Sequence, residues 1–443
     1  MLIEFKVANY RSIRAEQTLS MVASNYSDEL PQNLISCDHV PGLKGTKLVK
    51  AVALYGANAS GKSNIVAALR FFAKFVRDSA TRLQPGAPTG AQPFKLDPAC
   101  LTEPSKFEIT AVINGIRTLY GIEMTRERVT SEYLVAYPKG RPQVWFERDW
   151  DLKNEKYTWS KSTGHFGHDK SLQGKTRENT PLVSTAAQFD HELATPIWIW
   201  FRDLIQIPDV STKSPSPSLA TDLLKTEDLR TRFRRLLQTA DLGISEIQET
   251  TPKVLFDPSA LVAKGKISRN KEFNKKTMEE VMNELIADVV DRTLFEPWVE
   301  FLHLGRQGKA YPLNPDEESL GTQRYLFLNA ECLRAHELKS LLVIDEFDTS
   351  LHPFLSRQIL LNYCCDSHKE NSGQFIFTTH NPLLLDQTLL RRDQIWFTEK
   401  DQEGATRLYP LTDFKPRKDE SLVKGYLAGR YGGVPFIPEG LKF

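Results

Sequence analysis

The sequence predicts an α/β protein built around a parallel sheet, with an antiparallel sheet as a second lobe. An apolar stretch from Val49 to Tyr55 predicts a buried strand that runs into a glycine-rich turn. From Pro312 to about residue 400, strand-like and helix-like patterns alternate, which is typical of a parallel sheet. After the glycine-rich turn, apolar side chains recur at the spacing of a helix: Ile65, Leu69, Phe72 and Val76.

Alternating apolar and polar residues predict the antiparallel lobe. Runs from Phe107 to Ile113 and from Ile116 to Met124 are joined by Asn114-Gly115, a dipeptide typical of two-residue hairpins. Two further runs, Val129 to Tyr137 and Gln143 to Arg148, extend the same meander. The segment therefore predicts a sheet of its own beside the parallel one.

The turn after the first strand reads GANASGKS and matches the phosphate-loop pattern G-x-x-x-x-G-K-[ST] at every fixed position. A strand, a glycine-rich turn and a helix N-terminus aim backbone N–H groups and the positive end of the helix dipole at one point, which suits a triphosphate. Gly56 and Gly61 let the backbone approach the phosphates, and Asn58 lies in the same loop. Lys62 is expected to reach the β and γ oxygens, and the Ser63 hydroxyl to ligate Mg²⁺.

A second strand is predicted to supply the carboxylates that hydrolysis needs. The apolar run from Leu341 to Ile344 ends in Asp345 and Glu346. At the end of a parallel strand both side chains would lie at the rim of the sheet, beside the phosphates. We expect Asp345 to hold Mg²⁺ and Glu346 to orient or deprotonate the attacking water.

A third buried strand, from Gln374 to Thr379, ends at His380. Asn381-Pro382 then predicts the start of a helix, because proline is favoured in the first turn. A histidine at this strand end could hydrogen-bond the γ-phosphate and report its presence. Alone it would more often be a structural residue, and its place in the series favours the functional interpretation.

In this order the motifs resemble those of ABC-type ATPases: phosphate loop, signature, Walker B strand, D-loop and switch histidine. The segment ESLGTQR, which contains Ser319, Gly321, Thr322 and Gln323, is similar to the signature variant of the subgroup related to SMC, Rad50 and the OLD nucleases. The resemblance implies that these four residues cap the nucleotide of a second chain. It also implies a D-loop from Asp348 to Pro353 in which Ser350 contacts nucleotide, and Gln92 as the Q-loop contact to metal.

Further segments resemble a narrower family, the AAA15-type ATP-binding proteins of bacterial phage-defence operons. These segments lie at residues 2–13, 16–21, 392–397 and 426–435, so they are scattered over nearly the whole length. The family includes the ATPases of the PARIS and AbiL systems and those encoded beside RloB-like proteins. It implies a fold of the ABC-type head, with a RecA-like parallel sheet, ATP and Mg²⁺ as ligands, and an operon-encoded partner.

Composition restricts the function class. The chain has 443 residues, 40% hydrophobic and 26% charged, which is ordinary for a soluble globular protein. Its net charge of +1 argues against a wholly basic nucleic-acid-coating protein. The five cysteines show no metal or disulfide spacing, so we expect them to be reduced in a cytoplasm, and neither a signal peptide nor a membrane segment is predicted.

We expect three parts along the chain. Residues 1–184 would form the first half of the ATPase head, 185–300 a compact helical insertion, and 301–443 the second half of the head. The insertion lacks sustained heptads, so no long coiled coil is predicted. It contains a basic stretch, Lys264 to Lys276, which is more often a solvated loop than a nucleic-acid site. The polar stretch from Trp150 to Asn179 predicts a flexible hairpin or loop.

The leading hypothesis is an ATP-driven sensor or scaffold that closes as a homodimer, or a higher homo-oligomer, around ATP. The family resemblance implies control of a second protein, a nuclease with a Toprim or RloB-like domain, and a phage-derived trigger. The alternative is a DNA-repair or DNA-end ATPase of the Rad50 or SMC kind, so direct nucleic-acid binding stays open. A self-contained OLD-type nuclease is not favoured, because about sixty residues after His380 are too few for another domain with a metal site.

Overall fold

The chain divides into two compact units, Met1–Ser211 with Arg334–Phe443, and Thr212–Leu333. The predicted division after residues 184 and 300 stays a prediction. The basic stretch from Lys264 to Lys276 lies outside the described residues. The computed structural model describes residues 1–25, 30–159, 168–208, 226–240, 242–250, 298–365 and 373–435.

The described elements alternate between strand and helix from Ala310 to Thr378, mostly within the range in which the sequence predicts this alternation. The strands are β1 (Leu2–Ala8), β2 (Gln17–Ser20), β3 (Leu34–Ser36), β4 (Lys47–Val49), β5 (Ala51–Gly56), β6 (Ser105–Ile113), β7 (Ile116–Met124), β8 (Val129–Tyr137), β9 (Gln143–Asp151), β10 (Lys156–Trp159), β11 (Ile205–Gln206), β12 (Ile244–Thr250), β13 (Trp298–Leu304), β14 (Ala310–Leu313), β15 (Leu341–Ile344), β16 (Gln374–Thr378), β17 (Ile395–Lys400) and β18 (Thr406–Pro410). The helices are α1 (Lys62–Arg82), α2 (Lys170–Lys175), α3 (Leu182–Ala187), α4 (Ala194–Asp203), α5 (Glu227–Thr239), α6 (Leu320–Leu338), α7 (Pro353–Cys365) and α8 (Leu422–Leu427).

The first unit contains a mainly parallel sheet in the order β11-β15-β16-β5-β17-β18. Pairing is parallel from β11 through β17, and β18 is antiparallel to β17. Strands β5, β15 and β16 are buried at every residue, which explains their continuous apolar runs. Because β15, β16 and β5 are neighbours, their carboxyl ends bring the predicted acidic pair, the histidine and the phosphate loop to one edge.

The antiparallel lobe has the order β10-β9-β8-β7-β6-β1-β2. The predicted hairpin is confirmed: β6 pairs with β7, and Asn114 and Gly115 both have positive φ (49° and 76°), as a type I′ turn requires. The stretch from Trp150 to Asn179, predicted as a hairpin or loop, contains a hairpin in its described part. Strand β10 extends the sheet, and the rings of Trp150 and Tyr157 pack across the pair at 5.0 Å. Helix α2 follows, beginning at Lys170 after an Asp169 cap.

Aromatic side chains join the antiparallel lobe to α1 and α4. The ring of Phe72 on α1 lies 5.7 Å from Phe107, 5.9 Å from Tyr120 and 5.1 Å from Phe201 on α4. All four side chains are buried. Such rings dominate the energetics of a core, so the helix that begins at the phosphate loop is anchored near its middle.

The second unit contains α5 and an antiparallel sheet in the order β12-β13-β14. We expected residues 185–300 to be mainly helical; the described part of this range contains the end of α3, α4 and α5 beside the strands β11, β12 and the start of β13, and the prediction for the whole range stays a prediction. In β12 the apolar residues Ile244 and Ile247 are three positions apart, a spacing that also fits a helix, so periodicity did not separate this short strand from a helix. The buried side chains that form this unit's core are Phe233, Leu237, Ile244, Phe301, Leu326, Ala330 and Leu333. Within the described ranges, no helix has the length and apolar character needed to cross a membrane.

Candidate functional site

The phosphate loop connects β5 to α1 and folds around its own lysine. Lys62 is 5% exposed, and its Nζ donates to the carbonyl oxygens of Gly56 at 2.8 Å and Ala57 at 3.0 Å. Burial lowers the pKa of Lys62 to about 8, although nearby carboxylates oppose this shift. The ammonium group therefore lies inside the loop, bonded to groups that a phosphate could replace. Asn58 lies on the exposed side of the same loop.

Thr398 on β17 and Thr406 on β18 hydrogen-bond to Ser60 of this loop. The Ser60 and Thr398 hydroxyls are 2.6 Å apart, and Thr406 Oγ1 donates to the Ser60 carbonyl oxygen at 3.1 Å. Gly61 has φ of 111°, and a Cβ there would collide with the Thr406 side chain. Only glycine meets both conditions, which explains the second fixed glycine of the motif.

The N-terminal strand contributes a further contact that the motif does not contain. Asn64 Nδ2 donates to Ser12 Oγ at 2.6 Å, and this hydroxyl lies 2.8 Å from Thr406 Oγ1. Sequence analysis missed Ser12, Thr398 and Thr406 as supports of the loop. For Ser12 a signal was present, since it lies in the N-terminal segment that carries the family resemblance. For Thr398 and Thr406 there was none, because hydroxyl contacts between distant strands leave no local sequence pattern.

Two of the predicted site residues, Ser63 and Asp345, contact each other directly. Ser63 Oγ donates to Asp345 Oδ1 at 3.2 Å, and the Thr378 hydroxyl donates to the same oxygen at 2.6 Å. A hydroxyl and a carboxylate that converge on one point are hard oxygen donors of the kind Mg²⁺ prefers. These residues therefore fit the metal that the sequence predicts at this edge.

Glu346 is exposed and has a left-handed backbone, with φ of 51°. Its N–H donates to Thr378 Oγ1 at 2.7 Å, and Thr349 Oγ1 donates to its carboxylate at 3.4 Å. A non-glycine residue in this conformation is costly and is kept where surrounding bonds impose it, often at functional sites. The turn directs the Glu346 carboxylate into solvent at the end of β15, where a water molecule could reach it.

His380 is exposed at the end of β16. Desolvation, followed by the charge of Lys62, lowers the pKa of His380 below its ordinary value. The lowered pKa favours the neutral ring, which offers one donor and one acceptor. The helix predicted at Asn381-Pro382 is only a 3₁₀ turn, Pro382–Leu384, in which the Asn381 side chain accepts from Leu383 N at 3.0 Å.

Two other predicted contacts, Ser350 and Gln92, stay predictions as ligand contacts. Ser350 is exposed with φ of 64°, in the turn between Glu346 and α7. Gln92 is exposed, and its Oε1 accepts from Arg11 Nε at 3.1 Å. The Gln92 side chain is therefore hydrogen-bonded to Arg11 of the N-terminal segment.

The predicted signature residues belong to the second unit. Exposed Ser319 caps α6, since its Oγ accepts from the Thr322 N–H at 3.1 Å. Thr322 and Gln323 are buried, and Gln323 Nε2 donates to the Glu318 carbonyl oxygen at 2.8 Å. Gly321 is half-buried in the first turn of the helix. The helix N-terminus thus presents Ser319 while its neighbours fix the turn.

Comparison with known proteins identifies the family of this fold. A family model described as "AAA domain, putative AbiEii toxin, Type IV TA system" matches residues 51–195 and 208–386, more than half of the chain. The matched ranges begin at β5 and contain the phosphate loop, the acidic end of β15 and His380. A comparison with curated proteins finds none that matches the chain.

Proposed function

The chain belongs to the AAA-domain family of that description, and we propose that it is an ATPase whose nucleotide state controls a partner protein. Membership of this family indicates ATPase activity. The observation that carries the proposed mechanism is the convergence of Ser63 and Asp345, 3.2 Å apart, beside the phosphate loop. This contact supports the proposal, because a hydroxyl and a carboxylate next to the phosphate loop are ligands that suit a nucleotide-bound Mg²⁺.

In this proposal the phosphate loop binds the triphosphate of ATP. Lys62 exchanges its hydrogen bonds to the Gly56 and Ala57 carbonyl oxygens for bonds to phosphate oxygens. These new bonds join a cation to an anion and are therefore stronger. Mg²⁺, held by Ser63 and Asp345, would neutralise charge on the β- and γ-phosphates. Thr378 keeps the Asp345 carboxylate in place through its 2.6 Å bond.

Glu346 is the proposed general base for the attacking water. Glu346 is exposed at the strand end, and its backbone N–H is held by Thr378 of the neighbouring strand. His380, whose lowered pKa favours the neutral ring, would hydrogen-bond the γ-phosphate from the neighbouring strand. Phosphoryl transfer depends mainly on positioning and charge stabilisation, so slow turnover suits a regulatory switch.

We further propose that the active form is a homodimer, or a higher homo-oligomer, with ATP between chains. Ser319, which is exposed, and Gly321, which is half-buried, lie at the start of α6 and would cap the γ-phosphate bound by a second chain. Only the triphosphate would bridge both surfaces, so hydrolysis would open the dimer. The partner is proposed from resemblance to AAA15-type defence ATPases: an operon-encoded effector of the nuclease or Toprim class, in a cytoplasm.

The test of the ATPase proposal uses wild type, Lys62→Ala and Glu346→Gln. We expect slow, Mg²⁺-dependent release of phosphate by wild type, loss of nucleotide binding in Lys62→Ala, and ATP binding without turnover in Glu346→Gln. Binding is measured by calorimetry and turnover by phosphate release. Wild-type turnover by Glu346→Gln would contradict the assignment of the base.

The family description favours a second candidate, in which this chain is itself the toxic component of a two-gene system. Expression of the chain alone separates the two proposals. We expect normal growth when it is expressed alone, and an ATP-dependent growth arrest only with the neighbouring gene. Arrest by the chain alone, kept in a variant that does not bind ATP, would favour the second candidate.

A further inference from the structure

The segment from Ser421 to Gly433 packs against the strand ends that carry the phosphate loop. It begins with α8, whose N-terminus is capped by Ser421 Oγ. Tyr426, on α8, is 6% exposed, and Tyr431 is fully buried. The segment is therefore anchored by aromatic side chains, and none of its residues has a role in the proposed chemistry.

Aromatic packing joins this segment to the strand that leads into the loop. The Tyr426 ring lies 5.6 Å from that of Tyr55, in an edge arrangement, and is stacked on Phe397 at 5.7 Å. Tyr431 is stacked on Phe397 from another side, at 5.9 Å. Tyr55 is the residue before Gly56, and Phe397 pairs with it across the sheet. Displacing the segment would therefore release Tyr55 and the residue that follows it.

Gly433 lies next to Gly56, the first residue of the phosphate loop. A Cβ on Gly433 would lie 3.5 Å from the Cα of Gly56 and 3.3 Å from Phe397 Cδ1. Tyr426 Oη donates to the Gly433 carbonyl oxygen at 3.2 Å, which holds this contact in place. Gly433 has φ of 68°, so glycine is favoured there for its conformation as well as for space.

Tyr55 also contacts the turn that follows His380 at the end of β16. Tyr55 Oη donates to the carbonyl oxygen of Asn381, the residue after His380, at 3.3 Å. The side chain of Tyr55 thus lies between the C-terminal segment and the turn after β16. Tyr55 therefore contacts both Tyr426 and the turn that follows His380.

We propose that Tyr426 and Gly433 are positioning residues that hold the phosphate loop in its binding geometry, so that the C-terminal segment forms the rear wall of the nucleotide site. This inference rests on the proposed ATPase function. The loop would contact phosphates of both ATP and ADP, with Lys62 reaching the γ-phosphate of ATP as well, whereas Glu346 acts on the attacking water. Loss of the wall should therefore weaken binding of both nucleotides and change turnover at saturating ATP much less than affinity.

The chain offers a matched pair of glycines for the test. Gly429 and Gly433 have similar positive φ (76° and 68°), but a Cβ on Gly429 would meet only Val434, at 3.5 Å. Alanine at either position introduces similar backbone strain, but only the methyl group of Gly433→Ala makes a tight contact, at 3.3 Å from Phe397, the strand partner of Tyr55. Tyr426→Phe keeps the stacked ring and removes the bond to the Gly433 carbonyl oxygen, so it also serves if Gly433→Ala fails to fold.

We expect Gly433→Ala to raise Kd for ADP and for ATP by at least about fivefold, and Tyr426→Phe by about threefold, in calorimetric titrations. Gly429→Ala should change Kd by less than about twofold at a similar loss of Tm, since it shares only the strain. Equal Kd for wild type, Gly433→Ala and Tyr426→Phe would overturn the inference, as would an equal rise in Gly429→Ala. Absence of nucleotide binding by wild type would instead overturn the ATPase proposal, and this inference with it.

Discussion

Thr378 and Asp345 are joined by a hydrogen bond of 2.6 Å between the ends of two adjacent parallel strands. The same Thr378 hydroxyl accepts the Glu346 N–H at 2.7 Å. One side chain therefore fixes both the proposed metal ligand and the backbone of the proposed base. A hydroxyl group can do this because it donates one hydrogen bond and accepts others.

Thr378→Val should reduce Mg²⁺-dependent ATP turnover about 10- to 100-fold, the usual cost of losing a partner that orients a metal ligand. Valine keeps the shape of threonine and removes the donor to Asp345 and the acceptor for Glu346. Thr378→Ser, which keeps the hydroxyl, is the matched control and should stay close to wild type. The measurement is phosphate release as a function of Mg²⁺ concentration. Similar activity of both variants would contradict a positioning role for Thr378.

Nucleotide affinity should fall as pH rises above 8. Burial lowers the pKa of Lys62 to about 8, so the free protein loses this charge above that pH. Phosphate favours the charged form, so binding takes up a proton there, and Kd should rise about tenfold between pH 7 and pH 9. Calorimetry of Glu346→Gln with ATP, in buffers of different ionisation enthalpy, measures both Kd and proton uptake.

The control for the pH experiment is Lys62→Arg, whose guanidinium stays charged throughout this range. Any remaining affinity of Lys62→Arg should be independent of pH between 7 and 9. A constant Kd in the protein that keeps Lys62, with no proton uptake, would show that the lysine is already charged in the free loop.

The parallel sheet and its loops could be predicted because each element has a recognisable local sequence pattern. The glycine-rich turn has its own sequence pattern, and β15 and β16 are short apolar runs that end in Asp345 and near His380. Their neighbourhood followed from the rule that parallel strands present their carboxyl ends on one edge. The bonds that support the site were not predictable in this way. Thr398 and Thr406 contact the loop through pairing of distant segments, and nothing near them in sequence indicates it.

The second unit shows where periodicity is insufficient. The strand at Ile244 has too few alternating residues to distinguish it from a helix before its partner strand is known. Its pairing with the strand that begins at Trp298 joins segments about 50 residues apart. Propensity alone carries no information on such a pairing, because packing against the partner decides it.

The antiparallel lobe contains a fully buried ion pair whose loss should destabilise the protein. Arg148 Nε lies 2.8 Å from Glu132 Oε2, and neither side chain is exposed. Glu132 also accepts from Tyr120 Oη at 2.8 Å and Leu182 N at 2.7 Å. Arg148→Met leaves this carboxylate buried without its cation, which should cost about 3–5 kcal/mol of unfolding free energy.

Arg82→Met is the control for the buried pair. Arg82 is 73% exposed and lies 3.8 Å from Asp78, so its loss should change stability by less than about 1 kcal/mol. Urea unfolding followed by tryptophan fluorescence compares the two variants. An equal effect of Arg148→Met and Arg82→Met would contradict the importance of the buried pair.

Mixing of two inactive variants tests the composite site. Ser319 lies exposed at the start of α6, whereas Lys62 fills the phosphate loop of the first unit. If ATP binds between chains, Lys62→Ala disables the loop of its own chain, and Ser319→Arg disables the cap that its chain offers to the other. Each variant alone should lose ATPase activity, because both sites of a homodimer then contain a defect.

A mixed dimer would collect both defects in one site and leave the other intact. With random pairing, half of the dimers in an equimolar mixture are mixed, so activity should recover to about one quarter of wild type if the intact site works independently. Phosphate release by the mixture, together with light scattering at each nucleotide state, provides the measurement. Recovery requires two chains at one site, since a site within a single chain would keep its defect in every molecule. No recovery, with a monomer at all nucleotide states, would rule out the composite dimer.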